Sequence, residues 1–225
     1  MKGLVVSVAL ALVSTPFAQK PQLLQVRAKV GAVYVYSLDT KMTAVGTAGQ
    51  MGFKSRLREK LVSAKKGEFE WDQSFKVLST FSDGVMRGGD KSFMELDGFR
   101  FRVVNDRTGQ NKRLIVNGMS VSDNGTPNVV LPAYPVKVGD KWSAYVNVNQ
   151  QRIKIDYRLT AFRREGRRNV AVIEGAYAAG QLIRNITPVI FWVDTADGKM
   201  VRAQAEIEAT SGPQKVRVKY LLIRI

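Results

Sequence analysis

Met51-Gly52-Phe53-Lys54-Ser55-Arg56-Leu57-Arg58-Glu59-Lys60-Leu61 places apolar residues at the odd positions Met51, Phe53, Leu57 and Leu61 and bases at Lys54, Arg56, Arg58 and Lys60. A period of two is the signature of a strand with one buried face. Downstream, Phe69, Trp71, Phe75, Val77 and Phe81 share one parity while Glu68, Glu70 and Asp72 take the other. The link Lys65-Lys66-Gly67 suits a three-residue hairpin loop with glycine in the left-handed position. That register sets Leu61 opposite Trp71, Leu57 opposite Phe75 and Lys60 opposite Asp72, so apolar and charged faces both match across the pair.

The same grammar runs through the chain on either side. Val33 to Leu38 is rich in β-branched and aromatic residues and reads as a strand. Asp97-Gly98 predicts a two-residue hairpin pairing Leu96 with Phe99, Met94 with Phe101 and Glu95 with Arg100. Turn signals at Thr108-Gly109, Asn117-Gly118 and residues 123–127 leave room for a short piece around Leu114 to Val116. Later, Ile153, Ile155, Tyr157, Leu159 and Ala161 alternate with Arg152, Lys154, Asp156 and Arg158. A two-residue turn at Glu165-Gly166 would then set Leu159 against Val172 and Tyr157 against Glu174, with a bulge as the alternative. Pro188 marks a strand start or a sheet edge within residues 186–193. Val201, Ala203, Ala205 and Ile207 share a face, and a four-residue loop at 210–213 would pair Ile207 with Val216, Ala205 with Val218, Glu208 with Lys215 and Glu206 with Arg217.

Two stretches punctuate this pattern. Leu131-Pro132-Ala133-Tyr134-Pro135-Val136-Lys137-Val138-Gly139-Asp140-Lys141-Trp142-Ser143 is a proline-stiffened approach, a Gly-Asp turn and an aromatic entering a strand. Lys29-Val30-Gly31-Ala32-Val33-Tyr34 echoes it. The chain is therefore expected to be all-β, an antiparallel curved sheet or incomplete barrel of two related halves, residues 19–128 and 129–225. Gly139, Asp140 and Trp142 are assigned as a structural motif, Asp140 bonding the turn backbone. The 131–142 stretch resembles exported bacterial β proteins of unknown function whose repeats open with Val-Gly-Asp-x-Trp; Ala32 and Tyr34 depart from that pattern in the first half. The overall pattern is also similar, at the level of fold, to half-barrels that carry lipids or lipoproteins between membranes.

Residues 1–18 have the order of a signal peptide: Lys2, an apolar run from Leu4 to Val13, then Ser14 to Ala18, with cleavage expected after Ala18. This predicts an N-terminal signal helix and a mature chain that is periplasmic or extracellular. The formal net charge of +16 favours anionic partners. Cysteine and histidine are both absent, which removes disulfides, Ser-His-Asp and Cys-His catalysis and the common metal-ligand sets. No metal, no cofactor and no enzymatic activity are expected. Asp194, Asp197 and Gly198 form an ordinary turn with too few ligands for calcium. A hydrolase using two carboxylates is the remaining enzymatic alternative.

Glu59 and Glu174 interrupt apolar faces, Glu59 opposite Gln73 and Glu174 opposite Tyr157. A carboxylate there costs several kcal/mol unless it is paired or reaches water. With Trp71, Phe75, Tyr157 and Trp192 they are candidates to line a ligand cavity of several hundred Å3, the alternative being that the aromatics fill the core. Arg163, Arg164, Arg167 and Arg168 crowd one hairpin tip, and Lys65 and Lys66 another; they are candidate contacts to lipid phosphate or another polyanion, or else solvated tips. Nucleic acid is not expected. The leading expectation is a non-enzymatic exported β protein that binds a lipid-like apolar or amphipathic ligand; the other is a cationic envelope protein, structural or adhesive, acting on anionic surfaces or polymers.

Overall fold

A computed structural model describes residues 20–46, 49–83, 96–121, 129–148, 151–178, 183–211 and 214–225. The expected signal segment, residues 1–18, lies outside them. The described elements are thirteen strands in one open sheet, and every pairing is antiparallel. In chain order they are β1 (Val33–Ala44), β2 (Gln50–Lys65), β3 (Glu68–Ser82), β4 (Arg100–Asp106), β5 (Asn111–Val116), β6 (Met119–Val121), β7 (Lys141–Val148), β8 (Gln151–Glu165), β9 (Arg168–Tyr177), β10 (Ile183–Asn185), β11 (Val189–Asp194), β12 (Met200–Ser211) and β13 (Gln214–Arg224). The spatial order is β6-β5-β4-β3-β2-β1-β13-β12-β11-β9-β8-β7, with β10 paired to β12. The first run of strands and the second thus join along β1 and β13 into one surface.

The opening hairpin has the expected register, Leu61 opposite Trp71, Leu57 opposite Phe75 and Glu59 opposite Gln73. Its turn is shorter than expected. Lys66 and Gly67 form a two-residue loop with φ of 53° and 80°, and a bulge between Leu61 and Ser63 absorbs the extra residue. A second irregularity between Lys54 and Ser55 places Phe81 opposite Gly52, on the face away from Phe75. Gly52 makes this possible, because a Cβ there would stand 2.5 Å from the Phe81 ring.

Elsewhere the register departs from expectation for local reasons. The turn after β8 is Gly166-Arg167 rather than Glu165-Gly166, since the left-handed first position, φ 59°, suits glycine and not glutamate. Together with a bulge between Leu159 and Ala161, this sets Leu159 opposite Ile173 and Tyr157 opposite Gly175. Val201 leaves the face of Ala203 because the ladder slips between Trp192 and Val193. Ser211 pairs with Gln214, so the last connection spans two residues, and Ile207 faces Val218 while Ala205 faces Tyr220. A shift of two preserves the faces. The expected charge pairs survive as diagonal contacts, Arg217 to Glu206 and Lys215 to Glu208, each at 3.9 Å. Phe99 N donates to Leu96 O at 3.1 Å, closing the Asp97-Gly98 turn; the Met94 and Glu95 pairings lie outside the described residues.

The repeat is structural. Gly139 N donates to Leu159 O, Leu159 N to Asp140 O and Asp140 N to Lys137 O. In the first half Gly31 N donates to Leu61 O, Leu61 N to Ala32 O and Ala32 N to Lys29 O. Each turn brackets a leucine of the following long strand, immediately before its bulge. Asp140 also accepts from Lys137 N at 3.0 Å, and Trp142 Nε1 donates to Val130 O at 2.8 Å, so the motif residues hold a turn and pin the incoming segment.

The sheet curls around a core on one face. Tyr36, Leu222, Ala203, Phe191, Ile173, Leu159, Tyr157 and Trp142 belong to a single buried cluster with Leu24, Val129, Val130, Leu131 and Val136. These last residues come from two extended segments lying over the concave face, bridged to each other at Gln22 and Val136. The first is tied to the sheet by Val26 N donating to Arg107 O, the second by Leu131 N donating to Thr108 O. A smaller cluster of Val170, Val172 and Trp192 lies on the opposite face.

Candidate functional site

Glu59 is 4% exposed and is the one acid among the fully enclosed polar side chains of the first half of the sheet, among the described residues. It faces inward because it shares parity with Leu57 and Leu61 on β2. Three donors meet its carboxylate: Tyr36 Oη at 2.9 Å, Gln73 Nε2 at 3.1 Å and Lys199 Nζ at 2.6 Å. The Lys199 ammonium also lies 4.0 Å from the centre of the Trp71 ring and 5.6 Å from that of Tyr34. Burial, reinforced by the neighbouring Glu59 carboxylate, pushes the Tyr36 phenol well above its ordinary value, so it stays a donor.

Lys199 reaches Glu59 because its turn is held from several sides. Gly198 N donates to Asp194 O and Lys199 N donates to Asp197 Oδ1 at 2.8 Å. Gly198 has φ +70°, and a Cβ there would collide with the Gln25 carbonyl, so only glycine lets the turn meet the overlying segment. Arg224 donates to Asp197 at 2.9 Å and to Asp194 at 2.7 Å. Burial alone would lower the Arg224 pKa, but Asp197 and Asp194 outweigh it and hold it above its ordinary value. The two aspartates thus serve an arginine.

Beside this charged wall lies a cavity of about 90 Å3, bounded by Leu38, Leu57, Phe75, Val103, Met200 and Leu222 and by Glu59, Gln73 and Lys199. A carboxylate only accepts, so Gln73 must turn Nε2 toward Glu59, and its Oε1 is left buried without a hydrogen-bond partner. The cavity is smaller than the expected several hundred Å3. Leu24, Val26, Val129, Val130, Leu131 and Val136 are already packed into the buried clusters of the concave face. Wider recesses are open ones; one of about 670 Å3 mixes Asp39, Lys41, Glu206 and Lys219 with Pro188, Ile190 and Leu221.

Of the residues singled out in the sequence, Glu59 and Phe75 line this cavity, and Trp71 abuts it through Lys199. Trp71 is fully buried and donates Nε1 to Asn105 Oδ1 at 3.1 Å. Tyr157 is core instead, 1% exposed and stacked 5.6 Å from Trp142. Glu174 does not face Tyr157: it stands opposite Arg158 and Ile190, a consequence of the shifted turn after β8 together with the bulge between Leu159 and Ala161. Trp192 is on the far face under Arg163 and Arg202, their guanidinium carbons 5.6 and 4.8 Å from the ring centre. Lys199 and Tyr36 escaped the sequence reading, Lys199 because a lysine in a turn carries no local sign of burial.

The arginine-rich tip is partly self-engaged. Arg163 pairs with Glu165, Arg168 with Asp194 at 3.8 Å, and Arg164 Nε donates to Gly166 O at 3.1 Å. Arg167, Lys65 and Lys66 are exposed. Comparison with protein-family models returns no match, and neither does comparison with curated proteins.

Proposed function

We propose that this chain is a non-enzymatic binding protein that takes the apolar end of an amphipathic ligand into the concave-face cavity, with Gln73 beside the Glu59–Lys199 pair meeting its polar group. The observation that carries this is the asymmetry of the cavity wall: one side is apolar, the other holds Gln73 Oε1, buried and without a partner. An orphaned buried acceptor costs about 1–3 kcal/mol, a penalty that a ligand donor would relieve. Glu59 itself is fully subscribed by three donors, which suits a wall that orients rather than one that reacts. The volume sets the scale: a cavity of about 150 Å3 holds benzene, so about 90 Å3 takes the end of a chain rather than a whole lipid.

Trp71 provides the readout, since it touches Lys199 and Asn105 at the cavity wall. Titration with medium-chain fatty alcohols and acids should shift its emission saturably, and native mass spectrometry should show one retained molecule. Leu57→Trp or Val103→Phe, which fill the space, should abolish both signals while the protein remains folded. Absence of saturable binding across the series, with no retained ligand in protein taken from its own envelope, overturns the reading.

A further inference from the structure

We propose that the outer face of β2, β3 and β4 is a docking surface for a lipid bilayer carrying anionic headgroups. It does not depend on the cavity. On this face Arg56 stands directly opposite Lys76, and Arg58 opposite Ser74, which in turn faces Arg100. All four bases are exposed, and none has an ion pair among the described residues. Like charges opposite one another across antiparallel strands are destabilising. In β12 and β13 the pairs are complementary instead: Glu206 faces Lys219 and Glu208 faces Arg217. Cross-strand neighbours lie about 5 Å apart and same-face neighbours along a strand about 7 Å apart, so the four bases form a dense positive field.

Apolar side chains stand exposed around these bases. Leu78, in the β3 irregularity two residues beyond Lys76, is 51% exposed, and Phe81, on the outer face opposite Gly52, is 40% exposed. Ile223, 38% exposed, faces Ser37, which faces Arg56. Bases that meet phosphate beside apolar groups that enter the acyl boundary are the pattern of an interfacial contact. A linear polyanion would satisfy the bases and leave Leu78, Phe81 and Ile223 in water. This combination favours the bilayer, and it assigns the contact to the sheet face rather than to the arginine-rich tip.

The test is flotation of the full chain with vesicles of phosphatidylcholine containing about 30 mol % phosphatidylglycerol at low salt. Arg56→Gln/Arg58→Gln/Lys76→Gln/Arg100→Gln should lose at least about tenfold in vesicle partitioning, whereas Lys65→Gln/Lys66→Gln/Arg164→Gln/Arg167→Gln, which removes equal charge at the tips, should stay within about twofold of wild type. Leu78→Ser/Phe81→Ser should weaken binding further as salt rises, and an unchanged far-UV spectrum and melting profile checks each fold. Equal loss in the two charge variants would reduce the effect to net charge and overturn the assignment. So would failure to float with the anionic vesicles. Tight binding to inorganic polyphosphate, with vesicle binding indifferent to Leu78→Ser/Phe81→Ser, would replace the bilayer by a polymer.

Discussion

Glu59 and Tyr157 occupy equivalent places in the two halves, each two residues before the leucine that its Lys-Val-Gly turn brackets. Around Tyr157 the space is closed: its ring stacks on Trp142 and tilts against Phe191, 6.1 Å away. Around Glu59 the same architecture holds a carboxylate, three donors and a cavity. One repeat has completed its core with aromatics. The other gives that position to a charge and leaves room next to it. The outer faces diverge likewise: Glu206 and Glu208 are set against Lys219 and Arg217 in β12 and β13, whereas Arg56 is set against Lys76 in β2 and β3. The turn geometry thus recurs while the side chains at its matching positions differ.

The largest expected effect tests the inner contrast. Glu59→Leu strands the Lys199 ammonium in the core and should cost about 3–5 kcal/mol, while Glu59→Leu combined with Lys199→Met should return to within about 1 kcal/mol of wild type in urea titrations. Tyr157→Phe, at the matching position, removes only a 3.5 Å contact to Val130 N. It should cost less than about 1 kcal/mol. A large loss in the double variant would show that the charged network cannot be replaced by apolar packing, and would make the two repeats less alike than their backbones.

Next comes alkaline pH. Burial pushes the phenols of Tyr36, Tyr157 and Tyr220 above their ordinary value of 10, Glu59 adding to the effect at Tyr36. Below pH 10 both folded and unfolded chains keep these protons; above it the unfolded chain loses them first. Stability should therefore fall by about 1.4 kcal/mol per pH unit for each buried phenol until its folded-state value is passed. Denaturant titrations between pH 9 and about 11 read this slope, and Tyr36→Phe and Tyr220→Phe should each reduce it by one proton. An unchanged slope in Tyr36→Phe would mean that the first half opens before its phenol titrates.

The smallest effect compares the hairpin tips. The first left-handed turn position is Lys66 in one half, φ 53°, and Gly166 in the other, φ 59°. Lys66→Asn should stabilise by about 0.5 kcal/mol, whereas Gly166→Ala should cost about 1 kcal/mol. Thermal melts of the two variants should move in opposite directions.

Much of the sheet was legible because side-chain alternation is a local property. The register of β2 and β3 followed from matching two faces at once, and Asp97-Gly98 and the two Lys-Val-Gly turns carried their own backbone chemistry. Errors gathered where a bulge absorbed a residue, at Val62, Thr160, Leu78 and Val201. A bulge leaves no reliable compositional mark, yet it reverses the face of every residue beyond it on the strand; Phe81 and Glu174 moved for this kind of reason. Of the site, Glu59 was visible as a charge on an apolar face, and Gln73 came with the register.

The sequence by itself determined that this chain is an antiparallel β protein of two related halves, strongly basic, without thiol or imidazole chemistry. Pattern and composition suffice for that, because they act residue by residue. Only the tertiary structure decided that Lys199, distant along the chain, completes the ion pair of Glu59, that Arg224 locks its turn, and that Leu24, Val26, Val129, Val130, Leu131 and Val136 pack into the concave face. Those contacts depend on how far the sheet curls, and curvature accumulates over all its strands through twist and bulges rather than residing in any one segment.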